Sequence, residues 1–301
     1  MIRKNGIFAL IMAFIVSIAG LLSTGCFATP GVALPRVSDY YKERVVVERK
    51  ELRVGLTSGS YGEMFNEIIA PLLNEKGYTF ELVYYDNVIL PNFDLAEGKI
   101  DLNIFQNIKY LNTHKFANDN DLAIQAITEI PTAPMAVYSR EHNSFSSLRR
   151  GATVSIPSDA TNKARALKLL ESARLIKIDP FIDKSKATEN DLIENRLELE
   201  FITADMNKLP ITLNYCDISV IAGSYAISDN LNLSDALIVE DRYDDDYKNV
   251  IVVRNEDIGE QFSLDIIDAV YSIEFFNQIT ADDSKYKEYA YPRHFYKMTN
   301  Q

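Results

Sequence analysis

Tryptophan is absent from the 301 residues, cysteine occurs twice and histidine three times. Two cysteines, Cys26 and Cys216, are too few for a disulfide framework or a cysteine zinc site. His114, His142 and His294 have no H-E-x-x-H spacing, which argues against a catalytic metal. No Ser-His-Asp or Cys-His set is visible either, so neither an enzyme nor a cofactor is expected. Basic charge is also short. Lys and Arg number 31 against 43 Asp and Glu, a net charge of −12. Without a basic surplus to neutralise phosphates, no nucleic-acid partner is expected, nor a polybasic membrane-surface protein. What is present is an ordinary globular mix, 47% apolar and 25% charged, which argues against disorder or fibre. The length suits two domains.

Residues 1–25 have the three-part layout of a secretory signal. Arg3 and Lys4 start it, Ile7 to Leu22 is nearly unbroken apolar sequence, and Ser23, Thr24 and Gly25 are small. The lone Cys26 directly after them resembles a lipobox, where the thiol is acylated and the chain is cut before it, although Ser23 takes the place three before the cysteine where Leu is usual. An uncleaved anchor and soluble export are the other readings of the segment, and Cys26 favours the lipoprotein. Acyl chains hold such a protein on a bilayer. Residues 26–50, with Pro30, Pro35 and scattered charges, read as a tether.

From Glu51 onward short β-like runs alternate with helical periods. The expected strands are Leu52–Leu56, Thr79–Tyr85, Leu102–Phe105, Thr153–Ile156, Leu197–Ile202, Ile218–Ile221, Ala236–Glu240 and Val250–Val253. The expected helices are Gly62–Lys76, Leu90–Glu97, Asn162–Ala173, Ala204–Asn214 and Ser263–Gln278. This alternation predicts an α/β fold with parallel sheets covered by helices on both faces. The body could be one sheet or two lobes, and two are favoured, with a ligand cleft between them. The acidic run Asp241, Asp244, Asp245 and Asp246 lacks the Gly and Glu of a calcium loop and reads as solvated. Cys216 reads as a buried small hydrophobe.

Seven segments in order carry a resemblance. They are Val54-Gly55-Leu56-Thr57-Ser58-Gly59; the stretch from Tyr85 to Leu90-Pro91-Asn92; Asp101-Leu102-Asn103-Ile104-Phe105-Gln106-Asn107 with Tyr110-Leu111; Pro134-Met135 with Tyr138-Ser139; Gly151 to Asp159 continuing through Thr161-Asn162-Lys163-Ala164-Arg165; Arg174-Leu175-Ile176-Lys177; and Ser224-Tyr225-Ala226. Behind a lipobox, this series resembles the methionine-binding lipoproteins of the MetQ/NlpA type, the substrate-binding subunits of ABC importers. The resemblance implies a two-lobed periplasmic-binding-protein fold with two chain crossovers. Lobe 1 would hold 51–135 plus 227–301, lobe 2 would hold 136–226, and no enzymatic activity is implied.

The resemblance also implies site residues. Asp159 or Thr161 can cap a helix, which places Arg165 in or near the first turn, where a cation is disfavoured unless an anion answers it. From the residues alone Arg165 is either a solvated surface cation or a carboxylate ligand; the resemblance makes it the latter, with Asn162 as the neighbouring amide. Tyr110 keeps the family's tyrosine. Asn107 stands where the family has His, Val88 where it often has an aromatic, and Ala222 where it has Asn. Pro131 and Ala133 replace a His and a Glu, and Lys109 replaces a Pro. These replacements favour a different amino acid or a short peptide over free methionine. The function implied is a lipid-anchored protein, facing the periplasm or the cell exterior, that delivers such a ligand to an ABC permease and ATPase. The alternative is a surface lipoprotein (receptor, antigen or adhesin) that keeps the fold without transport.

Overall fold

The computed structural model describes residues 49–115, 122–240 and 247–298. The expected signal segment, the expected acylation site at Cys26, nearly all of the expected tether, the acidic run 241–246 and the side chain of His114 lie outside the described residues.

Twelve strands are described: β1 Glu51–Thr57, β2 Thr79–Tyr85, β3 Leu102–Asn107, β4 Ile124–Glu129, β5 Met135–Tyr138, β6 Thr153–Pro157, β7 Ile176–Ile178, β8 Leu192–Asn195, β9 Glu200–Ala204, β10 Ile218–Ala222, β11 Ile238–Val239 and β12 Asn249–Arg254. They form two five-stranded sheets, ordered β2-β1-β3-β12-β4 and β11-β5-β10-β6-β9, and a β7-β8 pair. β1, β2 and β3 run parallel, as do β6, β9 and β10. The sheets are mixed rather than wholly parallel, because β4, β5, β11 and β12 flank the two crossings and pair antiparallel. The residue alternation of a strand shows how the first sheet is covered. In β12, Ile251 and Val253 enter one apolar core, while Val250 and Val252 enter another on the opposite face. The second sheet has a core of its own, built on Val137, Val154, Ile156, Leu167, Leu170 and Val220.

The chain crosses first through 130–134 and returns between β11 and β12. β11 pairs with β5, with Ile238 opposite Val137, and Leu233 and Leu237 pack in the second core. The stretch from 227 to 239 thus stays largely with lobe 2, whereas the sequence places all of 227–301 in lobe 1. Leu231, Leu233, Leu237, Ile238 and Val239 pack in that core, while Ile227 at the start of the stretch packs on the first. Gly223 marks where the lobes' connecting segment meets β10. Its N–H donates to Pro134 O at 2.8 Å, and a Cβ at 223 would sit 2.5 Å from that oxygen.

Several expected elements differ. The helix expected over Ala204–Asn214 is a 3-10 turn, Met206–Lys208, followed by the short helix Leu209–Thr212, and the strand expected over Ala236–Glu240 shrinks to Ile238–Val239. The first helix runs from Ser60 to Asn74 with a π turn at Phe65–Ile69. Pro71 follows that turn; it cannot donate to position 67 and its ring crowds that carbonyl, and the wider turn relieves the clash. The expected strand Leu197–Ile202 begins only at Glu200, after a turn with Glu198 at φ 51°. The last long helix is two, Gln261–Val270 and Ile273–Thr280, since the Ser272 hydroxyl oxygen accepts from Phe275 N–H and starts a new one.

Candidate functional site

The carboxyl ends of β3, β6 and β10 converge between the two sheets, and two connected pockets lie there. The inner one, of about 30 Å³, is lined by all six side chains expected from the sequence: Val88, Asn107, Tyr110, Asn162, Arg165 and Ala222. The outer cavity, of about 380 Å³, includes Asp86, Asp159 and Asp205 in its wall. Val88, Tyr110, Met206 and Tyr225 border both.

The helix Ala160–Ser172 positions Arg165 and Asn162. Asp159 is its cap, accepting from Asn162 N–H at 2.9 Å and from the Asn162 amide at 3.1 Å. Burial pushes the Asp159 carboxyl above its ordinary value against the opposing bonds from Asn162. The cap at Asp159 places Arg165 in the second turn rather than the first. There the helix end bears on it less, and its partner is a protein carboxylate. Arg165 is 3% exposed. Nε donates to Glu240 Oε1 at 3.0 Å, Nη2 donates to Oε2 at 2.5 Å, and the guanidinium lies 5.0 Å from the Tyr247 ring centre. Burial alone would lower the Arg165 pKa, but the Glu240 carboxylate outweighs it and raises it. Among the described residues Nη1 makes no hydrogen bond.

Asn107 ends β3 and starts the helix Ile108–Lys115. Its Oδ1 accepts from Tyr110 N–H at 2.8 Å, and its amide donates to Asn162 Oδ1 at 3.4 Å across the cleft. Tyr110 donates its hydroxyl to Val88 O at 2.9 Å, which ties the Val88 loop over the pocket. Ala222 precedes the helix Gly223–Ser228 and contributes only a methyl group. Tyr225 is buried from the other side, and that burial pushes its hydroxyl up to about 12.

Sequence reasoning missed Glu240, Tyr61, Met206 and Tyr225. Tyr61 accepts from Ala133 N–H at 2.9 Å, in the first crossing. Glu240 accepts from Met135 N–H at 3.0 Å. No local signal marks Glu240, because only the fold brings it to Arg165. Phe105 and Gln106 also border the inner pocket. Cys216 is buried. Among the described residues no helix is long and apolar enough to cross a membrane.

The arrangement resembles known proteins in sequence and in shape. Outer membrane lipoprotein 3 of Mannheimia haemolytica is 34% identical over 236 residues, 76% of this chain and 86% of that protein. The methionine-binding lipoprotein MetQ of Bacillus subtilis is 31% identical over 221 residues, 72% of this chain and 79% of that one. A nutrient-binding protein from Burkholderia cenocepacia, solved with methionine bound, superposes with a TM-score of 0.71 at 27% identity, covering 76% of this chain and 95% of that one. The two-lobed fold is therefore that of the periplasmic binding proteins. The family model described as NlpA lipoprotein matches residues 52–293, and the chain belongs to that family.

Proposed function

We propose that the protein is a lipid-anchored substrate-binding protein that takes methionine or a related amino acid or short peptide and delivers it to an ABC permease. The observation that carries this is the Arg165 guanidinium, buried between the sheets with its Nη1 donor unpartnered among the described residues. A ligand α-carboxylate answers that donor. Glu240, on the same guanidinium, supplies a negative charge within reach of an α-ammonium group. The inner pocket holds the amino-acid end, and the ligand's side chain extends past Val88 and Tyr110 into the outer cavity. Three aspartates border that cavity, which disfavours acidic side chains. The site is built for binding, and no catalytic group is assigned to it.

Calorimetric titration with L-methionine, D-methionine, glycyl-methionine and glutamate tests the reading. A dissociation constant below about 1 μM, some −8 kcal/mol, is expected for one of the first three, with glutamate at least about tenfold weaker. Absence of binding by all four would remove the reading. Cys26 is proposed as the acylated N-terminus of the mature protein. The mass of membrane-extracted protein checks it, and an unmodified chain starting at Met1 would exclude it.

A further inference from the structure

A second constellation lies at the opposite end of the second sheet. β10 ends at Ala222 in the cleft and starts just after Asp217, about 16 Å away at 3.3 Å per residue. Glu141 and His142, in the loop after β5, meet Asp217 there, with one ligand-capable atom of each lying within 4.8 Å of the others. The two partners of the pair, His142 and Asp217, are 75 positions apart, so no spacing in the sequence announces them.

The hydrogen bonds around His142 decide which of its nitrogens is available. The Ser147 hydroxyl donates to Ser144 O at 2.8 Å, so towards the ring it can only accept. His142 Nδ1 lies 2.9 Å from Ser147 Oγ and therefore carries the proton. In the neutral ring Nε2 then has a lone pair, and it faces Asp217 Oδ1 at 3.4 Å. Nε2 and Oδ1 therefore share a cation, either a proton or a metal ion, and the Glu141 carboxylate beside them supplies a third donor that a proton does not need and a metal does. Asp217 is equally pre-set. Its Oδ2 accepts from Thr153 N–H and from the Thr153 hydroxyl, both at 2.7 Å, which leaves Oδ1 turned to the histidine. The Ser139 hydroxyl oxygen accepts from His142 N–H at 3.0 Å and holds the loop.

We infer that Glu141, His142 and Asp217 form a site for a divalent transition metal, zinc by ligand type. Zinc bonds of 2.0–2.2 Å to nitrogen and oxygen at the tetrahedral angle set ligand atoms about 3.3 Å apart. The His142–Asp217 separation is long for a hydrogen bond and matches that edge. Glu141 is exposed, so its carboxylate swings in as third ligand without disturbing the core, and water completes the coordination. Ser147 orients the imidazole from behind, the usual arrangement for a metal-binding histidine. The site stands apart from the cleft, so the metal and the cleft ligand bind independently.

The test uses the full chain in detergent, stripped of metal and titrated calorimetrically with Zn²⁺. Wild type is expected to take one Zn²⁺ that H142A and E141Q each bind at least about tenfold more weakly. S147A, which touches no metal, is expected to weaken binding about tenfold through loss of ring orientation. A single cooperative thermal melt and an unchanged far-ultraviolet circular dichroism spectrum of metal-free H142A are expected, and they confirm that the variant is folded. Since Asp217 also ties β6 to β10, the test does not rely on replacing it. Failure of wild type to bind Zn²⁺, or unchanged Zn²⁺ affinity in folded H142A, would overturn the assignment.

Discussion

Glu240 grips Arg165 through both carboxylate oxygens while its Oε2 also accepts the N–H of Met135, so one side chain joins the helix of lobe 2 to the start of β5. The pair is nearly dry, with side chains 4% and 13% exposed. Breaking a buried pair from one side leaves the other charge stranded and costs about 3 kcal/mol or more. R165A is therefore expected to lower the melting temperature of the unliganded protein by about 6–12 °C and to abolish ligand binding. R165M/E240Q removes both charges and keeps an acceptor for Met135, so it should recover most of the stability and none of the binding. Differential scanning fluorimetry with and without ligand separates the two effects.

Asn107 has two partners on opposite sides of the cleft. N107A removes the helix cap, worth about 1 kcal/mol, and is expected to lower the melting temperature by about 2–4 °C. N107D keeps an acceptor for Tyr110 N–H and should restore it. A thermal melt of the three proteins without ligand is the check.

Asp101 anchors the base of lobe 1. It accepts from Arg53 N–H and Nε through Oδ2, and from Arg49 and Arg254 through Oδ1. Burial opposes its charge, but the bonds from Arg53 and Arg254 outweigh that and hold its carboxyl below the ordinary range. A depressed carboxyl contributes stability above its unfolded pKa of about 3.9, and that contribution is lost as pH falls through the lower folded value. D101N should therefore be less stable than wild type at pH 7. The gap should hold down to about pH 5 and close below about pH 4. Urea melts across that range would refute this if the gap were independent of pH.

G223A places a methyl carbon against Pro134 O, a backbone atom inside the crossing that cannot rotate away. A loss of about 1–3 kcal/mol is expected, read from denaturant midpoints. A variant as stable as wild type would mean that the crossing yields.

Much of the scaffold is legible in the chain because its periods are local. Val250–Val253 reads as a strand from its apolar run, and Asp159 announces a helix start three residues before Asn162. The six cleft residues were accessible through segment resemblance, and they do meet in one pocket. Other features depend on distant partners. Nothing near Glu240 indicates that it will face Arg165, and Ile238–Val239 could pair with either sheet until β5 is in place. Ser272 had a local signal, a capping residue inside an apolar period, but the period alone masks the break. Pro71 likewise signals the π turn only once the helix around it is known to continue.

The Arg165–Glu240 pair also sets the ionic character of the cleft. Because Glu240 belongs to the chain at the second crossing, the inner pocket brings its own counterion and is electrically balanced before anything enters. An amino acid adds one charge of each sign and leaves the sum where it was. No dissolved ion has to be expelled or recruited when the ligand arrives. The affinity is then set by covalent placement rather than by the surrounding electrolyte, and a salt titration across the physiological range should leave it nearly flat.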